Sequence, residues 1–443
     1  MKRVLVIFLS LVLLVVLLGG WSLFKKKSPK QGKVLTIYAW NTEFQDRFKK
    51  YFEDAGKLPE GVKVNWVITP NQGNAYQQKL DEALLNQKNV AADNKIDIFL
   101  VEADYALKYV DTDYTLDVVK DIGLSKSDLT NMYKYTKDIM TDSKGKLKGV
   151  SWQACPGGFM YRRSIMKDVI GTDDPVQVQK ALDSWDKFDA VAAKAKAKGY
   201  YMLAGFDDAY RVFSDNMKNP WVVGNKIKID PQIQRWIDQT KMYTDKGYNM
   251  KTSLWASEWT QGMGVNGKVV GYFGPGWFVD FVLKPNSKAN SDGPDKVGNG
   301  SYGDWGLIKG PQGFSWGGTW ICGAAGSDNI NLIKDVMYTL TVDTATLKSI
   351  ATDLGDFTNN MKAMQQIADS DYHYDFLGGE NHIKVFLDSA KSIDRSNISP
   401  YDQGMSEKIQ NAFIDYFNGT VTEDQAWNNF YTGVLELYPN LKK

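Results

Sequence analysis

Val34-Leu35-Thr36-Ile37-Tyr38-Ala39-Trp40 is nearly continuous in apolar and β-branched residues, and the chain then turns polar at Asn41-Thr42-Glu43. Such a run suits a strand buried on both faces. Just beyond it, Phe44, Phe48 and Phe52 stand four apart with charges between them, which predicts a helix with one apolar stripe. Val62, Val64, Trp66 and Ile68 alternate as a second strand, and Tyr76, Leu80 and Leu84 predict another helix. That helix leads to a third buried strand, Ile96-Asp97-Ile98-Phe99-Leu100-Val101. Strand, helix, strand, helix, strand at this pace predicts an open α/β sheet covered by helices.

The middle of the chain follows the same logic. Ser184 is placed to cap a helix carrying Trp185, Phe188 and Val191, and Trp236, Thr240 and Tyr243 mark another. Val269-Val270-Gly271-Tyr272-Phe273 reads as a strand, and residues 284–303 as a loop rich in Gly, Asn, Ser, Asp and Pro. Near the C-terminus Ile409, Phe413 and Tyr416 share a helix face that Gly419 ends. Thr422 to Gln425 then has capping-box spacing ahead of Trp427, Phe430 and Val434.

At 443 residues the chain suits two domains better than one. Its 53 Lys and Arg nearly cancel 52 Asp and Glu, so no field exists to hold a phosphate backbone, and nucleic acid is not expected as a partner. The N-terminus differs from the rest. Val4 to Phe24 is uncharged and apolar, flanked by Lys2-Arg3 and Lys25-Lys26-Lys27, and it is about the roughly 20 residues that cross a bilayer core. Leu18-Gly19-Gly20-Trp21 looks like a lipoprotein processing box with Trp in place of the lipid-bearing Cys. Residues 1–27 are therefore expected to be an uncleaved anchor, with a cleaved signal peptide as the alternative, followed by a linker at 28–32. The lysines after the run exceed the charges before it, which by the positive-inside rule argues for a cytosolic body. An export-like start at the very N-terminus argues for the outside.

Motifs of catalysis are present only in outline. Gly313-Phe314-Ser315-Trp316-Gly317 matches a nucleophile elbow, which requires a strand before the Ser and a helix after it. Here Thr319-Trp320-Ile321 reads as strand. Gly262-Met263-Gly264-Val265-Asn266-Gly267 matches a dinucleotide fingerprint, but a strand follows where the pyrophosphate needs a helix N-terminus. His373 and His382 are the only histidines and fit no usual zinc set. Neither a cofactor nor a metal is expected.

Taken in order, several segments resemble the family 1 extracellular solute-binding proteins of bacterial ABC importers, the group that includes the maltose-binding protein. They are Trp40-Asn41-Thr42-Glu43; Asp97 to Asp104; Gly149 to Gln153 with Gly157 to Arg163; Asn266-Gly267-Lys268 through Gly274-Pro275-Gly276-Trp277; Trp316 to Trp320; and Gly419 to Phe430. The resemblance implies two discontinuous α/β lobes with a hinge and a cleft between them, the type II arrangement. Residues 33–153 plus 322–370 would form the N-terminal lobe, and 155–320 plus 374–443 the C-terminal lobe. It also implies a monomeric receptor on the outer face of the cell membrane. Such a receptor takes a carbohydrate, an oligosaccharide by preference, and delivers it to permease subunits without catalysis.

Within that frame Trp40 and Trp277 each close a strand and are followed by polar or turn residues, the place where ligands bind open α/β sheets. An aromatic ring can carry the C–H face of a sugar, while carboxylates accept from its hydroxyls. Glu43, Asp104 and Asp402 are the candidate acids, with Tyr401 beside the last. Asp207, in Phe206-Asp207-Asp208, resembles a site loop, and Trp316 either lines the cleft or packs the hinge. Where the family often has an acid on the first crossing, this chain has Ala154-Cys155-Pro156. Cys155 and Cys322 fall on crossings the family sets side by side, so they are expected either to pair or to stay as buried thiols. Rival readings are a receptor for a polyamine or a metal complex, and a secreted carbohydrate-active hydrolase using two carboxylates.

Overall fold

The computed structural model describes residues 32–443, so the apolar N-terminal run and its expected anchor lie outside the described residues. Among those residues no helix is long and apolar enough to cross a membrane. In chain order the strands are β1 (Val34–Ala39), β2 (Lys63–Ile68), β3 (Ile98–Glu102), β4 (Val150–Ser151), β5 (Gly157–Arg162), β6 (Leu203–Gly205), β7 (Val222–Val223), β8 (Lys226–Ile227), β9 (Asn249–Thr252), β10 (Gly271–Pro275), β11 (Trp305–Ile308) and β12 (Thr319–Gly323).

Five strands form one sheet in the order β2-β1-β3-β12-β4. β1 runs parallel to β2 and β3, and β12 is antiparallel to β3 and β4. Leu35, Ile37 and Ala39 of β1 and Ile98 to Val101 of β3 are buried, as a strand covered on both faces requires. Phe44, Phe48 and Phe52 do share a buried stripe, on the helix Glu43–Phe48 and the wider π-helical turn Lys49–Glu53 that prolongs it. Phe44 stacks on Trp152 with ring centroids 5.2 Å apart. This stripe fixes where the helix N-terminus, and so Glu43, sits at the end of β1.

A second sheet, β10-β5-β11, is antiparallel, with every residue of β5 buried. The chain thus leaves the first sheet between Ser151 and Gly157 and returns between Ile308 and Thr319. These crossings run side by side: Pro156 bridges Ser315, and the Trp316 N–H donates to the Cys155 carbonyl at 3.2 Å. Residues 357–359 join them, since Ala154 N–H donates to Phe357 O and Asn359 N–H to Trp152 O. Directly afterwards Ala363, Met364 and Ile367 of the helix Met361–Ala368 pack in one cluster with Met160, Tyr272 and Leu307 of the second sheet.

Caps read from the sequence are in place. Ser184 accepts from Lys187 N–H at the start of Trp185–Ala197, and Thr422 and Gln425 form the reciprocal capping box of Glu423–Leu437. Of the two alternatives for Cys155 and Cys322, pairing is not found: both are buried free thiols. The reason lies in register. Cys155 is opposite Trp316, whereas Cys322 lies against Gly149, its Sγ only 2.9 Å from where a Cβ there would stand. Six residues of strand-like chain separate those positions, up to about 20 Å.

Candidate functional site

A cavity of about 600 Å³ opens at the carboxyl ends of β1 and β3 and is closed on its other side by residues that follow β6, β9 and β10. Trp40, Glu43, Asp104, Asp207, Trp277 and Trp316 all line it. Tyr401 and Asp402 do not. Tyr401 packs edge-on against Tyr438, and the Asp402 carboxylate accepts from Ser399 N–H at 3.1 Å and Ser399 Oγ at 2.6 Å, tying the first turn of the helix Asp402–Phe417.

On the side of the first sheet the polar groups are fixed by one another. Asn41 Oδ1 accepts from Glu43 N–H, so the turn after β1 is held by its own side chain. The buried Glu43 carboxylate meets Arg47 at 3.2 Å and accepts from Gln153 Nε2 at 2.7 Å. Gln153 in turn accepts from Thr319 N–H on the return crossing, and Arg47 also reaches Asp356 at 3.5 Å. Burial pushes the Glu43 carboxyl up to about 7, with Arg47 opposing. Asp104 is bound bidentately by Arg211, at 2.8 and 2.5 Å. Burial works against its charge, yet Arg211 holds it below the ordinary carboxylate range. Glu102, last residue of β3, accepts only from Asp104 N–H at 2.8 Å; burial and the Asp104 charge push its carboxyl well up.

Asp207 and Asp208 show how neighbours part company. Asp208 accepts from Ala204 N–H, Gly205 N–H and Trp259 Nε1 and is consumed by the fold. Asp207 has one long bond, from Leu254 N–H at 3.4 Å, and burial lifts its carboxyl to about 6. The facing wall is aromatic. Trp277 stands 5.3 Å from Trp316 at 70°, and its Nε1 donates to Trp316 O at 3.1 Å. Trp255 lies 6.1 Å from Trp316 and is 56% exposed, its backbone left-handed at φ 68°. Tryptophan takes that conformation at a cost, which local structure must offset. Gly317 and Gly318 have φ of 67° and 115°, and a Cβ on Gly317 would come within 3.3 Å of Glu102 Oε1. That position needs glycine for both reasons.

Beyond the Arg211–Asp104 pair the space continues into a second chamber of about 420 Å³, lined by amides such as Asn71, Asn74, Gln403 and Asn411. Gln403 Nε2 donates to Asn74 Oδ1 at 3.1 Å across its rim. Sequence reasoning missed Glu102, Arg211, Trp255, Glu407 and Gln410 as lining residues. A polar end to a buried strand was a usable signal for Glu102; the others carry none in their local sequence. Neither tempting motif makes a site. Ser315 is tied to Asp215 at 3.2 Å with strand β12 after it, and Gly262 to Gly267 form the turn between the helix Ser257–Gln261 and β10. Among the described residues no His, Cys, Asp and Glu group could hold a metal ion.

The sequence profile of bacterial extracellular solute-binding proteins matches residues 46–374. The chain belongs to that family. A solute-binding protein of this kind works outside the cytoplasmic membrane, so the location is extracellular or periplasmic. Comparison with curated protein sequences gives no match. Solved structures agree in fold over nearly the whole length. A family 1 extracellular solute-binding protein aligns with TM-score 0.70 and 16% identity, over 91% of this chain and 99% of that one. The ABC transporter associated binding protein from B. animalis subsp. lactis, in complex with β-1,6-galactobiose, gives TM-score 0.66 and 16% identity over 93% and 100%. The GacH receptor of Streptomyces glaucescens, solved unliganded and with acarbose, gives 0.66 and 16% over 92% and 99%. At such identity the likeness establishes a mixed α/β solute-binding fold.

Proposed function

We propose that this solute-binding protein captures a carbohydrate, preferentially an oligosaccharide, in the cavity and hands it unchanged to the permease subunits of an ABC importer. The observation that carries this reading is the cavity itself. Indole rings and carboxylates line one space, the combination a sugar with apolar faces and a hydroxyl rim demands. Two fold relatives were solved with saccharide-type ligands, β-1,6-galactobiose and acarbose, which favours the same class here. Space for several rings is offered by the chamber beyond Arg211.

Capture would proceed by rotation of two lobes about the side-by-side crossings, because only a closed form lets both walls touch the ligand. Residues 33–153 plus 322–370 and residues 155–320 plus 374–443 are the proposed lobes. The packing of Met361–Ala368 with the second sheet favours a last crossing earlier, near 356–360. No bond is broken in this scheme. The apolar run of residues 4–24 would anchor a monomer to the outer face of the membrane.

A thermal-shift screen over mono- and oligosaccharides tests the reading, with chromatography of the sugars afterwards. A raised midpoint with the saccharide intact is the expected result. Stabilisation only by polyamines or metal complexes, or shortened saccharides, would replace it with one of the rival functions.

A further inference from the structure

One end of the cavity is an aromatic corner, not a platform. Trp277 and Trp255 stand 5.3 and 6.1 Å from Trp316, inclined to it by 70° and 46°, and all three line the cavity. A pyranose needs one flat ring beneath it. Several inclined faces around a point suit a compact cation, which is drawn to the negative face of each ring.

Two carboxylates adjoin this corner. Glu102 Oε1 and Trp277 Nε1 lie 3.3 and 3.5 Å from the same point, the place where a Cβ on Gly317 would stand. Asp207 is only 8% exposed, lines the cavity, and meets the Leu254 N–H beside Trp255 through Oδ2; its Oδ1 has no partner. Among the described residues Arg211 is the one cationic side chain lining the cavity, and Asp104 engages it bidentately. Glu43 has Arg47. Among the described residues Glu102 and Asp207 have no ion-pair partner and accept only from the backbone N–H groups of Asp104 and Leu254, although carboxylates withdrawn from solvent are as a rule paired.

We propose that the ligand is a saccharide bearing a protonated amine, held with its ammonium in the Trp255–Trp277–Trp316 corner between Glu102 and Asp207. This deepens the carbohydrate reading above and rests on it. The ammonium supplies three donors and a full charge. Glu43 and the amides of the second chamber serve the hydroxyls.

Calorimetry with the intact protein tests the proposal using four probes: the β-1,4 disaccharide of glucosamine, its N,N′-diacetyl form, cellobiose, and spermidine. The expected result is that the amino disaccharide binds about tenfold or more tightly than either neutral disaccharide. Glu102→Gln and Asp207→Asn should each remove most of that preference, lowering the affinity for the amino disaccharide more than that for either neutral disaccharide. The wild-type comparison stands alone if a variant fails to fold. Equal or tighter binding of a neutral disaccharide overturns the amine and leaves carbohydrate capture standing. A preference that survives both substitutions overturns the assignment to these acids. Spermidine binding more tightly than every saccharide, or no binding by any amine, overturns it as well, the former together with the carbohydrate reading.

Discussion

The two walls of the cavity differ in chemistry and also in the backbone beneath them. Glu43, Glu102, Asp104 and Gln153 stand at the ends of β1 and β3 and on the first crossing, over strands whose side chains are almost wholly buried. Trp255, Trp277, Phe281 and Trp316 stand on loops and short helical turns, and one of them occupies a left-handed backbone. Acceptors set on a rigid sheet fix where donors of a ligand must go. Rings on connecting segments contribute contact area and can settle as the space closes. The difference teaches that orientation and affinity are assigned to different parts of the molecule, and each can be broken alone.

Loss of a ring should have the largest effect. Trp277→Ala is expected to weaken the best saccharide by about 50-fold or more, on the order of 2–4 kcal/mol, while the fold persists. Trp255→Ala, removing a more exposed ring, should cost about tenfold. Calorimetry checks both, with thermal melts as the control. Unchanged affinity in both variants would take the aromatic wall out of recognition.

Much of this was legible beforehand. Strands β1, β2, β3 and β12 of the first sheet, the Phe44–Phe48–Phe52 stripe and both C-terminal helices follow from periodicity and caps, which are local properties. Six of the eight candidate residues line one cavity because strand ends carry a positional meaning in α/β sheets. What could not be read is pairing at a distance. Asp104 reads as a free acid in the sequence, yet Arg211, 107 positions away, binds it, while Glu102, which like Asp207 accepts only from a backbone N–H, carries no such pairing signal either. Cys155 and Cys322 looked adjacent because two crossings are adjacent; the register between those crossings is absent from the sequence.

The Arg211–Asp104 pair joins the walls, so its loss should come next in size. Arg211→Gln leaves Asp104 beside Glu102 without its guanidinium, and is expected to cost about 2–3 kcal/mol in urea unfolding, since one partner of a mostly buried pair is removed. Asp104→Asn in that background should restore part of the loss, because the uncompensated charge is then gone. A double variant as unstable as the single one would mean that Arg211 acts through packing alone.

A smaller effect separates the walls by pH. Glu102, Glu43 and Asp207 keep their protons in the folded protein over a range where the unfolded chain has released them. The folded state then binds more protons, so stability falls as pH rises through that range. Buried His382, lowered from 6.5 to about 4, has the opposite slope below pH 6.5 and none above it. Between pH 6.5 and about 8 the unliganded midpoint should therefore fall by about 2 °C, and Glu102→Gln should flatten part of that slope. A midpoint rising over the same interval would contradict the burial of these acids.

The smallest effect belongs to Asp402, and its smallness is informative. Its carboxylate is spent on Ser399, through Oγ at 2.6 Å and N–H at 3.1 Å, and lies behind the cavity, beside Arg395 rather than facing the rings. Asp402→Asn keeps the shape and loses part of the hold on the helix start, about 0.5–1 kcal/mol of stability. Saccharide affinity should change by less than about twofold, because no group that meets the ligand has moved. A larger loss of affinity would mean that the helix Asp402–Phe417, which brings Glu407 and Gln410 to the cavity, swings inward when the ligand binds. The rigid and adjustable parts of the site would then have to be redrawn, with this helix counted among the adjustable ones.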